Sequence, residues 1–263
     1  MDIWEILNKR EMRVLPGNIA FFFMLALIPI ITIVVYLASY FSISVEAVST
    51  MVKNLLPGDT ASTIVEIISG KSFDGNIGLF NLATIVVATN GTYSIVNASN
   101  TLYRVKNSDR LRDRVKSVWI FVIMLVLMLF ILVVPIFGDK IVRLCAKIRI
   151  FSDLSDKIMV LFNIIKWPIS IFIIYFNVKL IYIIAPSTEV KSNDTTYGAI
   201  FTTVGWSVAT LIFSWYLKCF AHYDIIYGNL SSIIILMMWL YILAYIFVLG
   251  LAINTKKLNK IEG

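Results

Sequence analysis

The sequence predicts an all-α fold: a polytopic membrane helix bundle of six transmembrane helices, with an outer helical hairpin and an interfacial amphipathic helix. Three observations carry that reading. Hydrophobic residues make up 59% of the 263 and charged residues only 15%, against ~45–50% and ~25% in soluble domains. The mean hydropathy is +0.85, which excludes disorder and leaves too much apolar surface for one water-soluble core. The charges are also clustered, so that residues 14–45, 75–103, 117–138, 195–217 and 225–255 carry none and 167–186 carries only Lys179. Each run reaches the ~20 residues that cross ~30 Å of hydrocarbon. Residues 125–134 are continuously apolar and do not alternate, which argues against barrel strands.

The elements follow in order within a single integral membrane domain, residues 1–263, with spans at about 18–41, 77–100, 118–138, 167–186, 197–217 and 228–253. The first span contains Pro29, which should kink it near the midplane. Its apolar run far exceeds a signal-peptide core and no A-x-A-like site follows, so it is expected to stay as an anchor. Val45, Val48, Val52, Leu55 and Leu56 then keep helical spacing up to the turn Pro57-Gly58-Asp59, and a second apolar stretch at 64–68 completes a helical hairpin. After the third span, Ile141, Leu144, Ile148 and Phe151 form one apolar stripe beside basic residues, the pattern of a helix lying in the bilayer surface. Trp119, Trp167 and Trp215 suit the aromatic belt near span ends, whereas Trp206 and Trp239 lie deeper and read as packing residues.

Lys and Arg favour one side. Lys9, Arg10 and Arg13, the run Arg104, Lys106, Arg110, Arg112, Arg114 and Lys116, then Lys191, Lys256, Lys257 and Lys260 make thirteen, against eight on the other side. Both termini are therefore expected in the cytoplasm. The five basic residues of the third connection run against the trend, and the interfacial helix accommodates them near anionic lipid. The run from Arg104 to Lys116 lacks interleaved aromatics and includes Asp109 and Asp113, so it reads as a topogenic loop touching lipid and not as a nucleic-acid site. Cys145 and Cys219 both fall near the outer interface. As isolated cysteines they read as packing residues, and a bridge would need an oxidising compartment.

The chemistry-bearing inventory is short. His222 is the only histidine, there is no P-loop, GxSxG or GxGxxG, and every Asp and Glu lies outside the six spans. No catalytic, cofactor or metal site is predicted, and the absence of an intramembrane carboxylate counts against proton coupling. The polar candidates lie elsewhere. Asn90, Ser94, Asn97 and Thr101 recur at helical spacing on one face of the second span, with Tyr93 alongside. Hydrocarbon offers amides no partner, so this face must meet another helix or water. Asn90-Gly91 is a weak helix interior, read as a place where the helix opens. Lys179 lies within the fourth span, either snorkelling or serving as counter-charge to an anionic head group. Gly198, Thr202, Gly205 and Ala209 form a small-residue stripe for close packing, within one subunit or between two, which leaves the oligomeric state open.

In its last third the chain resembles the YihY/virulence factor BrkB family of bacterial inner-membrane proteins. Pro186, Tyr197-Gly198, Trp206, Tyr216, Tyr223, Tyr227-Gly228, Trp239, Tyr241, Gly250 and Asn254 stand where that family's pattern has them, and Asn97, Tyr103 and Arg104 close the second span similarly. The chain departs at Ala26-Leu27-Ile28-Pro29, where the family favours a Ser before the Pro, and at Gly250-Leu251, where Gly-Ala is more usual. The resemblance implies a six-span inner-membrane protein. The family once carried a ribonuclease BN label, which the residue inventory does not support. Two functions are weighed: a transporter or lipid-moving protein whose pathway uses the second span's polar face, Pro29 and Lys179, and a non-transporting membrane scaffold in envelope assembly. Membrane lipids, and a small-molecule or lipid substrate in the first case, are the expected partners.

Overall fold

The computed structural model describes residues 10–40, 77–106, 108–126, 155–220 and 231–259, with side chains described over 11–26, 86–106, 108–126, 168–217, 231 and 233–255. They form α1 (Arg10–Tyr40), α2 (Ile77–Leu102), α3 (residues 110–126), α4 (Ser155–Ile184), α5 (Thr196–Phe220) and α6 (Ser231–Asn259), with no strand among the described residues. The outer hairpin, the interfacial amphipathic helix, Cys145, Tyr227 and Gly228 lie outside the described residues. Among the described residues two stretches, Thr196–Leu217 and Ile233–Thr255, are long and apolar enough to cross a membrane, and Pro168–Ile184 is a shorter apolar helical stretch. At 1.5 Å per residue the first two reach ~33 Å.

Termini of the helices have identifiable chemistry. Asp109 accepts a hydrogen bond from the Leu111 backbone N–H (2.9 Å) and caps α3. At the end of α2 the N–H of Val105 reaches the Asn100 carbonyl (2.9 Å) and that of Arg104 the Thr101 carbonyl (3.2 Å), the paired bonds of a Schellman stop. Arg104 takes the left-handed position at φ 55° that glycine usually fills. Asn90-Gly91 does not open α2, which is helical from Ile77 to Leu102. Gly91 instead faces α1, whose Phe23 and Ala26 come into ordinary contact distance of the position a Cβ would take. Helix α4 begins at Ser155, earlier than the charge pattern suggests, and carries Pro168 in its interior.

Packing runs α2 on α1, α1 on α6, α6 on α5 and α5 on α4. One hydrophobic core joins Met12, Ile19 and Ala20 of α1, Ile95 and Val96 of α2, Ile120 of α3, Val178 and Tyr182 of α4, Ala199 of α5 and Val248 and Leu251 of α6. The early turns of α1 and α5 thus meet the late turns of α2, α4 and α6, and Asp113 near the start of α3 bonds Asn100 near the end of α2, so consecutive helices alternate in direction and residues 12 and 252 share one end. Large apolar side chains point outward as well: Phe172, Leu211, Trp119 and Trp215 are each about 60% exposed or more. Exposed apolar surface on this scale needs a partner other than water.

The small-residue stripe packs within the chain. A Cβ on Gly198 would strike the Gly250 carbonyl and the Asn254 amide, one on Gly205 would meet Ile246, and one on Gly250 would strike Thr202 and Tyr182. Close helix approach here depends on those missing methyls. Gly250→Ala is expected to cost about 1–3 kcal/mol by overpacking, read as a lowered thermal midpoint in detergent. Gly17→Ala, where the nearest side-chain atom is Tyr241 Cε2 at 4.0 Å, is expected to be neutral or stabilising by up to ~1 kcal/mol through helix propensity.

Candidate functional site

The α2 face proposed from spacing does turn to one side, but it is the less buried side of the helix. Asn90, Tyr93 and Asn97 are half-buried and Thr101 is exposed, whereas Ser94, at the edge of the arc, is buried. Ser94 satisfies its hydroxyl on the Gly91 carbonyl (2.6 Å), and Thr101 on the Asn97 carbonyl (2.8 Å). The buried arc of α2 holds other polar groups, namely Thr89, Thr92, Ser99 and Asn100.

What meets the open arc is Arg114 of α3. Its guanidinium donates through Nη1 to Asn90 Oδ1 (2.8 Å) and through Nη2 to the Val86 carbonyl (3.3 Å), and lies 5.4 Å from the Tyr93 ring centroid. These are neutral acceptors and a π-face. Lys179 is half-buried, its Nζ 5.8 Å from the ring centroid of Tyr175, one turn back on α4. No hydrogen bond among the described residues joins Lys179 to the α2 face. Pro29 lies within α1, beyond the residues whose side chains are described.

The stretch from Arg104 to Lys116 is not a loop. It becomes helical at residue 110, and its Asp113 is buried. Both carboxylate oxygens are met: Oδ2 by Asn100 Nδ2 (2.8 Å) and Oδ1 by the Ser187 hydroxyl (2.5 Å). Asn100 Oδ1 accepts the Ser187 backbone N–H (2.7 Å), which closes the ring of bonds. Lys116 Nζ donates to the Pro186 carbonyl (2.9 Å) and to Ser187 Oγ (3.1 Å). Burial, then the neighbouring Arg112, lowers the Lys116 ammonium below the ordinary lysine value, while Asp113 pulls the other way. This clamp ties the end of α2 and the start of α3 to the turn between α4 and α5. Sequence reasoning missed it because a carboxylate within a basic run reads as solvated. Farther along α2, Thr92 Oγ1 lies 2.8 Å from the Ser117 carbonyl, within donating distance, at a buried contact with α3.

A second tie lies among α4, α5 and α6. The Tyr182 hydroxyl donates to the Phe247 carbonyl (2.7 Å), so the Thr202 hydroxyl, 2.7 Å away, donates to it. Asn254 Oδ1 accepts the Gly198 N–H (2.8 Å), one of the orphan donors in the first turn of α5. Trp206 donates to the Leu243 carbonyl (2.8 Å) and stacks on Phe247 at 6.2 Å. Gly198, Gly250 and Asn254 therefore lock helices together, and Pro186 supplies a carbonyl to the clamp.

A family model described as "Virulence factor BrkB" matches residues 3–261. The chain belongs to that family. Among BrkB-family relatives, the protein from Bacillus subtilis (strain 168) named ribonuclease-like protein YfkH is 30% identical over 243 residues, covering 90% of this chain and 87% of its own. A UPF0761 membrane protein of Klebsiella pneumoniae (strain 342) is 28% identical over 260 residues, covering 96% of this chain and 86% of its own. One from Cronobacter sakazakii is 24% identical over 259 residues, covering 96% and 86%. No solved structure matches the chain. The BrkB-family chain is thus a membrane protein.

Two outcomes test this geometry. Asp113→Ala strands the Asn100 and Ser187 donors, and each buried group left unpaired costs about 1–3 kcal/mol. Faster limited proteolysis between α4 and α5 and a lower thermal midpoint are expected. The Tyr103 hydroxyl is buried without a hydrogen-bond partner among the described residues. Burial, and secondarily the Asp194 carboxylate, pushes it up to about 12. Its folded value exceeds its unfolded one, so its contribution to stability is complete below pH ~10 and is lost as pH rises through about 12. The absorbance titration of wild type minus Tyr103→Phe should show one phenol with its midpoint near 12.

Proposed function

We propose that this chain is a six-span protein of the bacterial cytoplasmic membrane, both termini in the cytoplasm, that moves a lipid or other amphiphile along the polar side of α2. The alternation of helix direction supports the even number of crossings. The Lys and Arg excess on the terminal side supports the orientation. The observation that carries the transport reading is the half-open arc of Asn90, Tyr93 and Asn97 with exposed Thr101. Amides facing hydrocarbon need partners, and a route for a polar head group supplies them. Pro29 in α1 is the proposed kink, and Lys179 the proposed counter-charge for an anionic head group.

A scaffold role in envelope assembly is the alternative. The clamp at Asp113 and the tie at Tyr182 favour it, since both hold helices in one arrangement. A catalytic step forms no part of either reading, although one relative's name contains the word ribonuclease. Reconstitution in vesicles with fluorescent short-chain phosphatidylglycerol separates the two. Asn97→Leu is expected to reduce lipid movement severalfold while leaving protein yield and thermal midpoint unchanged. A parallel fall in yield and movement would assign Asn97 to packing, and no movement by wild type would favour the scaffold.

A further inference from the structure

We infer that Arg114, Asn90 and Tyr93 form a seat for the phosphate of an anionic membrane lipid. The inference concerns binding and holds whether or not the bound lipid is moved. Arg114 is half-buried, and no carboxylate pairs with it among the described residues. Its neighbour Asp113 is turned away, with both oxygens occupied by Asn100 and Ser187. The cation instead rests on an amide oxygen, a backbone carbonyl and the Tyr93 face. A guanidinium has five N–H donors in a planar fork suited to phosphate oxygens. Two are used here, so the fork is oriented by α2 and keeps donors for an anion.

The surroundings select a lipid over a soluble anion. Val86, whose carbonyl meets the guanidinium, is 54% exposed, and Val118 and Val122, one and two turns beyond Arg114 on α3, are 40% and 41% exposed. Leu111, Val115 and Trp119 extend this outward apolar stripe along α3. The cation thus sits at the edge of an apolar surface formed by two helices, which fits acyl chains alongside a phosphate. Ser117 pairs with Thr92, so the basic first turns of α3, which precede the third span, lie beside the cytoplasmic half of the second. There a cation with no carboxylate partner among the described residues draws an anionic head group towards it.

Native mass spectrometry of the purified full chain, titrated with phosphatidylglycerol or phosphatidylcholine of matched acyl chains, tests this. Wild type is expected to retain phosphatidylglycerol preferentially, and Arg114→Gln to lose that preference by roughly tenfold, the worth of a charge-assisted hydrogen bond. Arg110→Gln, an exposed arginine one turn earlier, is expected to keep it. Equal loss in both variants would show diffuse surface charge, and an unchanged preference in Arg114→Gln would show no seat; either overturns the inference. Displacement of the lipid by millimolar inorganic phosphate would overturn the lipid assignment. Should Arg114→Gln not fold, Arg114→Lys and Tyr93→Leu decide: weakened preference in both supports the seat, and wild-type preference in both removes it. Lipid movement is measured separately, so its absence leaves this result standing.

Discussion

A carboxylate taken out of water is costly unless hydrogen-bond donors meet it. Asp113 is that group here, and its donors come from positions that the chain separates widely: Asn100 on α2 and Ser187 after α4. The pairing joins α2, α3 and the turn after α4. Fixing Ser187 fixes where α4 ends and α5 begins. The first turn of α5 then meets Asn254 of α6, and α6 packs on α1. One buried carboxylate at the start of α3 is thereby connected, tie by tie, to every described helix.

Polar side chains in this bundle are satisfied in two ways with different consequences. Ser94, Thr101, Thr203 and Ser207 each return a hydroxyl hydrogen to a carbonyl three or four residues back. Such groups need nothing from a neighbouring helix and specify no partner. Asn100, Tyr182, Thr202 and Asn254 bond across helices instead, and they determine which faces meet.

Much of this was legible in the sequence. Charge-free runs marked α5 and α6, and the spacing of Gly198, Thr202 and Gly205 marked the face on which α5 meets α6. Spacing also placed Asn90, Asn97 and Thr101 together, but periodicity gives relative angles and not the absolute rotation of a helix. The neighbouring arc, with Thr89, Thr92 and Asn100, is equally polar and turned out to be the buried one. Asp113 was hidden for another reason: counting charges along a loop registers their sum, whereas its role depends on a partner 74 residues away. Arg114 was counted for topology, and nothing local indicated that it would lie along α2.

The contact between α1 and α6 bears on how the protein is made. Met12 and Ile19 share a core with Val248 and Leu251, so α1 keeps that flank uncovered until α6 has left the ribosome. Contacts so distant along the chain close late, because a long loop must be ordered before they repay it. During synthesis that flank must be covered by lipid or by the insertion machinery until it is released to α6.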